Sequence, residues 1–278
     1  MPNRLKVEPE VFHYMYQKLD QNPNNFHNWF PKIKDCGISV PNSTVIRVPE
    51  NVMKAFSMEN TEKSQDIVEK WVKRTVMPAF YKHQNRFGVF MKNGTFSNKF
   101  NANNCILPLS STYGSIAKNI LDINYMSLMC GVGGNTEIVL RNMIPFDSYK
   151  VATIYNGLPF RPEFRIFYDF DNHELCYSVN YWDWDYCYSR ISRRATERIV
   201  YEACYPRIKE IFDSKYEEAE QIVAKLMKNI TGLEGIWSID LLLDEKNTFW
   251  LIDMAIGYQS AYYDQNKILN KEQNLKNK

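Results

Sequence analysis

Residues 236–257 read I-W-S-I-D-L-L-L-D-E-K-N-T-F-W-L-I-D-M-A-I-G. Two apolar runs, 236–243 and 249–256, are rich in branched and aromatic residues and flank the turn-forming 244–248. The stretch therefore predicts a β-hairpin. Each strand carries one aspartate in an otherwise apolar run, Asp240 and Asp253. Register decides what they do. If 245–248 is a four-residue loop, Asp244 pairs with Phe249 and Asp240 falls directly opposite Asp253 on one face. Carboxylates facing each other across a ladder repel, and buried without partners they are costly. A divalent cation resolves the conflict, because hard cations such as Mg²⁺ take carboxylate oxygens. A one-residue change in the loop would send the acids to opposite faces and remove the site. The same residues also fit a hairpin with one acid in solvent and the other capping a backbone group, and the strands alone leave both readings open.

The 278 residues suffice for one large domain or two closely joined ones. Hydrophobic content of 45% and charged content of 24% are ordinary for a globular chain. A net charge of +2 gives no polyelectrolyte ground for a nucleic-acid partner. Cysteines are scattered without a C-x-x-C pair, which reads as reduced thiols rather than a disulfide frame or a zinc site. The first residues lack an apolar signal core and no run reaches membrane-spanning length, so a cytoplasmic protein without a membrane partner is expected. With 18 Tyr and 16 Phe against only 11 Gly, the chain is short of the glycine that a P-loop or Rossmann phosphate site needs.

Upstream, 9–19 predicts a short helix with Val11, Phe12, Met15 and Leu19 on one side, and 21–41 an irregular stretch. A strand is expected at 44–48, and a helix capped by Thr61 running to about Val76, ended or kinked by Pro78. The strand 89–92 ends on Lys92, and a polar turn leads to Lys99. Such lysines fit either a phosphate contact or a solvated hairpin tip. A helix over 111–129 and a strand over 137–144 follow. The runs 162–170 and 175–181 form a second hairpin, whose first strand carries Glu163 and Arg165. Arg165 reads as salt-bridged to Glu163 or as facing an anion in a cleft. Trp182, Trp184 and Tyr186 read as an aromatic loop, either a ligand wall or buried packing. Helices broken at Pro206 are expected over 193–212, then an amphipathic helix over 216–230. The four histidines, His13, His27, His83 and His173, show no paired pattern and read as structural or solvated.

Taken in order, Lys92, Lys99, the strand 137–144, Arg165, Asp240 and Asp253 resemble the ATP-grasp superfamily over roughly 89–257. The run R-P-E-F-R-I-F-Y-D-F ending at Phe170 and the strand 251–255 are most similar to the phage-associated clade named for one arginine and two lysines. The E-F-R stretch 163–165 also resembles the cell-cycle assembly-factor branch. The resemblance implies an α+β fold of two subdomains whose antiparallel sheets clamp a nucleotide. It implies domains at 1–135 (N-terminal part with the nucleotide lysines) and 136–265 (phosphate arginine and metal acids), with a polar tail at 266–278. Position by position, it makes Lys92 and Lys99 the nucleotide lysines and 141–144 the adenine linker, with Arg141, Met143 and Ile144 acting mainly through backbone. Arg165 becomes the phosphate or acyl-phosphate arginine, and Asp240 and Asp253 the magnesium ligands. Many such enzymes carry an asparagine two residues past the last acid. Here that residue is Ala255, which implies a weaker metal site or one completed by Gln259 or water.

The implied activity is an ATP- and Mg²⁺-dependent carboxylate–amine ligase working through an acyl phosphate on small or peptide and protein substrates. Two rivals stand beside it. Ala255 and the aromatic loop fit a nucleotide-binding pseudoenzyme that scaffolds a protein partner. Lys92-Asn-Gly94 and Glu234-Gly235-Ile236 resemble motifs of polynucleotide ligases that adenylate a lysine, although the acid expected at Asn93 is missing. Substrate identity and oligomeric state are left open.

Overall fold

A computed structural model describes residues 8–57, 62–191 and 193–268. The chain combines helices with antiparallel sheets and divides into two units, Met1–Asn28 with Asn42–Met143, and Trp29–Pro41 with Ile144–Lys278. The seam falls at 143/144, after the strand 137–142, which pairs inside the first sheet. Among the described residues no helix is long and apolar enough to cross a membrane.

The first unit runs through α1 (Pro9–Asp20), the first turn of α2 (Phe26–Ile33), β1 (Ser43–Arg47), α3 (Glu50–Ser57), α4 (Glu62–Trp71) and α5 (Met77–His83). It continues with β2 (Val89–Asn93), α6 (Ala102–Cys105), β3 (Ile106–Leu107), α7 (Tyr113–Met129) and β4 (Glu137–Asn142). The strands lie in the order β1-β4-β2-β3, all antiparallel. Alternation puts Val89, Met91, Ile138 and Leu140 on a face packed against α4, α5 and α7, through Val68, Phe80, Ile116 and Ile120. The opposite face carries Lys92, Glu137 and Arg141. The stretch 21–41, expected to be irregular, contains α2. Pro78 does not end its helix. It sits in the first turn of α5, where no N–H is needed, and a π-helical turn at Val72–Val76 joins α4 to α5. The Thr61 cap lies outside the described residues. Thr112 caps α7 through a reciprocal pair with Ser115.

The second unit holds β5 (Thr153–Ile154), β6 (Leu158–Pro159), β7 (Glu163–Asp169), β8 (Glu174–Asn180), α8 (Trp184–Ile191), α9 (Ala195–Met227), β9 (Ile236–Leu243) and β10 (Phe249–Ile256). Its main sheet has the order β10-β9-β7-β8. One face is covered by α9: Phe164 stacks on Phe212 at 5.1 Å, and Ser178 donates to Glu220 at 2.7 Å. Ala219, Val223 and Met227 are fully buried there. Trp182, Trp184 and Tyr186 do not form a loop that walls a ligand. Trp184 and Tyr186 lie on α8, and Trp182 is buried in a cluster with Phe160, Ile191 and Tyr201. The expected break at Pro206 is also absent. A single helix of 33 residues passes through it. Pro206 and Glu202, whose carbonyl it leaves without a donor, both sit on the exposed side, where water can take the bond.

The hairpin reaches the expected pairing by another route. Its turn is one residue longer than supposed: Phe249 pairs with Leu243, and the Asp244 N–H donates to the Thr248 carbonyl. That register alone would set Asp253 opposite Ile239, on the face buried by α9. A β-bulge between Leu251 and Asp253 absorbs the extra residue and returns Asp253 to its place opposite Asp240. Asp244 anchors the turn by accepting from the Lys246 and Thr248 N–H groups and the Trp250 indole, and these bonds outweigh burial and hold its carboxyl below the usual range.

Because α9 is continuous at an exposed proline, Pro206→Ala restores one backbone bond. It should raise stability by about 1–3 kcal/mol in urea denaturation. A helix truly broken at this position would show no gain.

Candidate functional site

On the first sheet, β2 and β4 set Phe90 opposite Arg141 and Lys92 opposite Val139, so Lys92, Arg141 and Glu137 project from one face. Lys92 is fully buried, with its amine 5.9 Å from the Phe26 ring centroid. Arg141 lies 4.8 Å from the Phe90 ring centroid. Lys99 is half-buried, and with Arg141 it is close enough to bear electrostatically on the Cys105 thiol. Burial nevertheless pushes that thiol up to about 12.

Glu137 was not singled out from sequence, yet it organises this face. Fully buried, it shares a 2.6 Å hydrogen bond with His27 Nδ1 and lies 3.9 Å from Arg47. Arg47 in turn pairs with Asp20, which accepts from the Thr136 hydroxyl at 2.6 Å. The Glu137 carboxylate packs on the bare backbone of Gly94, and a Cβ there would collide with Glu137 and Asn135. The glycine two residues after Lys92 is thus required by Glu137. His27 is therefore held in a structural pair with Glu137. His13 meets Glu50 at 2.9 Å, and buried His83 sits between Thr44 and Asn142. One sequence signal was available: Glu137 is a lone acid opening an apolar strand, as Asp240 is a lone acid within one.

At the linker, the Met143 carbonyl accepts from Asn85 at 2.9 Å. In the second unit, Ile144 is buried, and the next carbonyl, that of Pro145, accepts from Arg161 Nη1 at 3.0 Å. Burial lowers the Arg161 pKa, and the charges of Glu245, Asp244 and Glu163 only partly restore it.

On the second sheet, Arg165, Asp240 and Asp253 stand in register across β7, β9 and β10 on the face away from α9. Arg165 is bonded to Asp240 rather than to Glu163, whose charge also bears on it. Its Nε donates to Asp240 Oδ1 at 2.8 Å and its Nη2 to Oδ2 at 2.7 Å, a two-point fork. Its Nη1 donates to the Ala261 carbonyl at 3.2 Å, and its guanidinium carbon lies 4.9 Å from the Tyr181 ring centroid. The two side chains are only 11% and 6% exposed. Burial alone would lower the Arg165 pKa, but the charge and hydrogen bonds of Asp240 more than reverse this and hold it above the ordinary value. The segment after β10 covers the same face. Ser260 meets Ser238 at 2.7 Å, the Tyr262 carbonyl accepts from Tyr177, and the Tyr262 hydroxyl donates to the Tyr181 carbonyl.

The acids do not make a formed magnesium site as they stand. Both Asp240 oxygens are engaged by Arg165, and among the described residues no three His, Cys, Asp or Glu side chains gather around a cation position. Ala255 faces Ser238, whose hydroxyl is bonded to Ser260 and within 3.3 Å of the Ala255 carbonyl. Gln259, offered as a replacement ligand, is exposed and donates to the Tyr258 hydroxyl at 3.3 Å.

No protein-family model and no curated protein matches the chain. Solved structures do. The chain is similar over 89% of its length to a RimK domain ATP-grasp protein of Sphaerobacter thermophilus, covering 62% of that chain at 8% identity with a TM-score of 0.39. It is similar over 90% to D-alanyl-alanine synthetase A of Vibrio cholerae, covering 60% of that chain at 12% identity with a TM-score of 0.35. It is similar over 92% to the macrocyclase MdnC of Microcystis aeruginosa, solved with the precursor peptide MdnA, covering 62% of that chain at 11% identity with a TM-score of 0.35. The chain thus spans about three fifths of the length of these structures.

Arg165→Met leaves Asp240 buried without its counter-charge and should cost about 3–5 kcal/mol in urea denaturation. Arg165→Met with Asp240→Leu should recover most of that loss, since no charge then remains buried. Cys105 carries a second expectation. Its thiol stays protonated in the fold up to about 12 but ionises near 9 when unfolded, so it favours unfolding progressively as pH rises from 9 towards 12. The urea midpoint should fall over that window, and less steeply in Cys105→Ala.

Proposed function

We propose that the chain is an ATP-grasp type ligase that joins a carboxylate to an amine at the expense of ATP. A substrate carboxylate oxygen attacks the γ-phosphorus, the bond to the β,γ-bridging oxygen breaks, and ADP leaves with that electron pair. The amine nitrogen then attacks the acyl carbon, inorganic phosphate departs with the acyl oxygen, and the ammonium proton passes to solvent. Protein groups need form no covalent bond in this scheme; they orient the reactants and stabilise charge.

The observation that carries the reading is the Arg165 guanidinium. It is buried and held from behind by the Asp240 fork, and Ala261 takes one further N–H. A guanidinium has five N–H donors, so these three bonds leave two for a further ligand, on a group whose orientation the fork fixes. That is the kind of preorganised cation a transferring phosphoryl group requires. The order of the other cationic residues supports the same assignment. Lys92, Lys99 and Arg141 would serve the nucleotide in the first unit, and the backbone of Met143 and Ile144 its base. No step is assigned to magnesium, because Asp240 is already committed to Arg165.

A second reading, a nucleotide-binding scaffold without turnover, is favoured by Ala255 together with that commitment of Asp240. Calorimetry with ATP, followed by ADP release in the presence of carboxylates and amines, separates the two. The wild type is expected to bind ATP. Arg165→Lys, which keeps the charge but loses the fork, should bind about 10–100 times more weakly, the worth of one or two charge-assisted bonds. Binding without ADP release across a broad acceptor panel would favour the scaffold. No ATP binding by the wild type at millimolar concentration would sink both.

A further inference from the structure

Two carboxylates opposed on neighbouring strands, one of them buried, need a positive charge between or beside them. The chain already supplies one. Asp240 gives both oxygens to Arg165, in the row where Asp253 stands on the other side of Asp240. A metal ion approaching Asp240 would have to share the carboxylate with a guanidinium of like sign in a desolvated setting, where such repulsion is poorly screened. We propose that Arg165 and a divalent cation compete for Asp240. The guanidinium stands in for the metal, and Asp240 and Asp253 bind a cation well only when Arg165 is drawn off or removed.

The competition has a thermodynamic consequence. An anion that engages Arg165 and loosens its hold on Asp240 raises the metal affinity. By reciprocity the metal raises the anion's affinity by the same factor. The two acids then serve as a conditional site, closed by an internal cation until an anionic ligand arrives. The inference shares with the proposed function the reading of Asp240 and Asp253 as members of one site. Its test contains no nucleotide, so a failure of ATP binding and a failure of this competition are told apart.

The test is a Mn²⁺ titration of the full chain, with free Mn²⁺ followed by electron paramagnetic resonance and folding checked by circular dichroism. Arg165→Gln should bind Mn²⁺ at least tenfold more tightly than the wild type, and adding Asp253→Asn to it should abolish the gain. Mn²⁺ should also raise the melting temperature of Arg165→Gln more than that of the wild type. If Arg165→Gln does not fold even with Mn²⁺, Arg165→Lys decides, because an ammonium grips the carboxylate at fewer points. Its Mn²⁺ affinity should then exceed that of the wild type. Equal affinities in the wild type and the decisive variant, or no binding by either at millimolar Mn²⁺, would overturn the proposal.

Discussion

The Arg165–Asp240 fork sets the terms for the second sheet. It spans β7 and β9 on the face that α9 leaves uncovered, so two strands that exchange backbone bonds are also tied by charge. A pair this enclosed gives up much hydration, and its geometry has to return that cost. It does so with two short charge-assisted bonds and a carbonyl on the third donor position. The segment after β10 takes its course from the same face, with Ala261 on Arg165, Ser260 on Ser238 and Tyr262 between Tyr177 and Tyr181. The arginine is therefore part of the unit's architecture as well as its best candidate for chemistry.

The first sheet solves a similar problem with different groups. Its polar face holds a buried lysine, a buried glutamate and an arginine, and the glutamate is satisfied from outside the sheet by His27 and approached by Arg47. Aromatic faces at Phe26 and Phe90 accompany the cations. In each sheet one face is apolar and packed on helices while the other is charged. That division follows from strict alternation along antiparallel strands, whose successive side chains point to opposite faces.

The chain's interruptions show how packing overrides local preference. Pro78 and Pro206 both sit inside long helical runs. The first is absorbed by a π turn, and the second lies where its unpaired carbonyl partner reaches water. The helices persist because buried residues on either side of each proline, Val72 and Phe80 in one case and Tyr201 and Ile208 in the other, are fixed by the core. The aromatic run at 182–186 was open to two readings from sequence, and the buried packing around Phe160 and Tyr201 decides it.

By itself the sequence determined the α+β class, the antiparallel hairpins and the lone charged residues on apolar strands, because alternation and turn chemistry are local. It determined that Asp240 and Asp253 matter, since an acid in such a strand requires a partner. Only the tertiary structure decided who that partner is. Arg165 lies far from Asp240 along the chain, and their meeting depends on β7 pairing with β9. The same holds for His27 with Glu137, joined across 110 residues. Even the Asp240–Asp253 alignment rests on a bulge that compensates a longer turn, and a one-residue adjustment of that kind reflects what each face must bury, which local sequence does not encode.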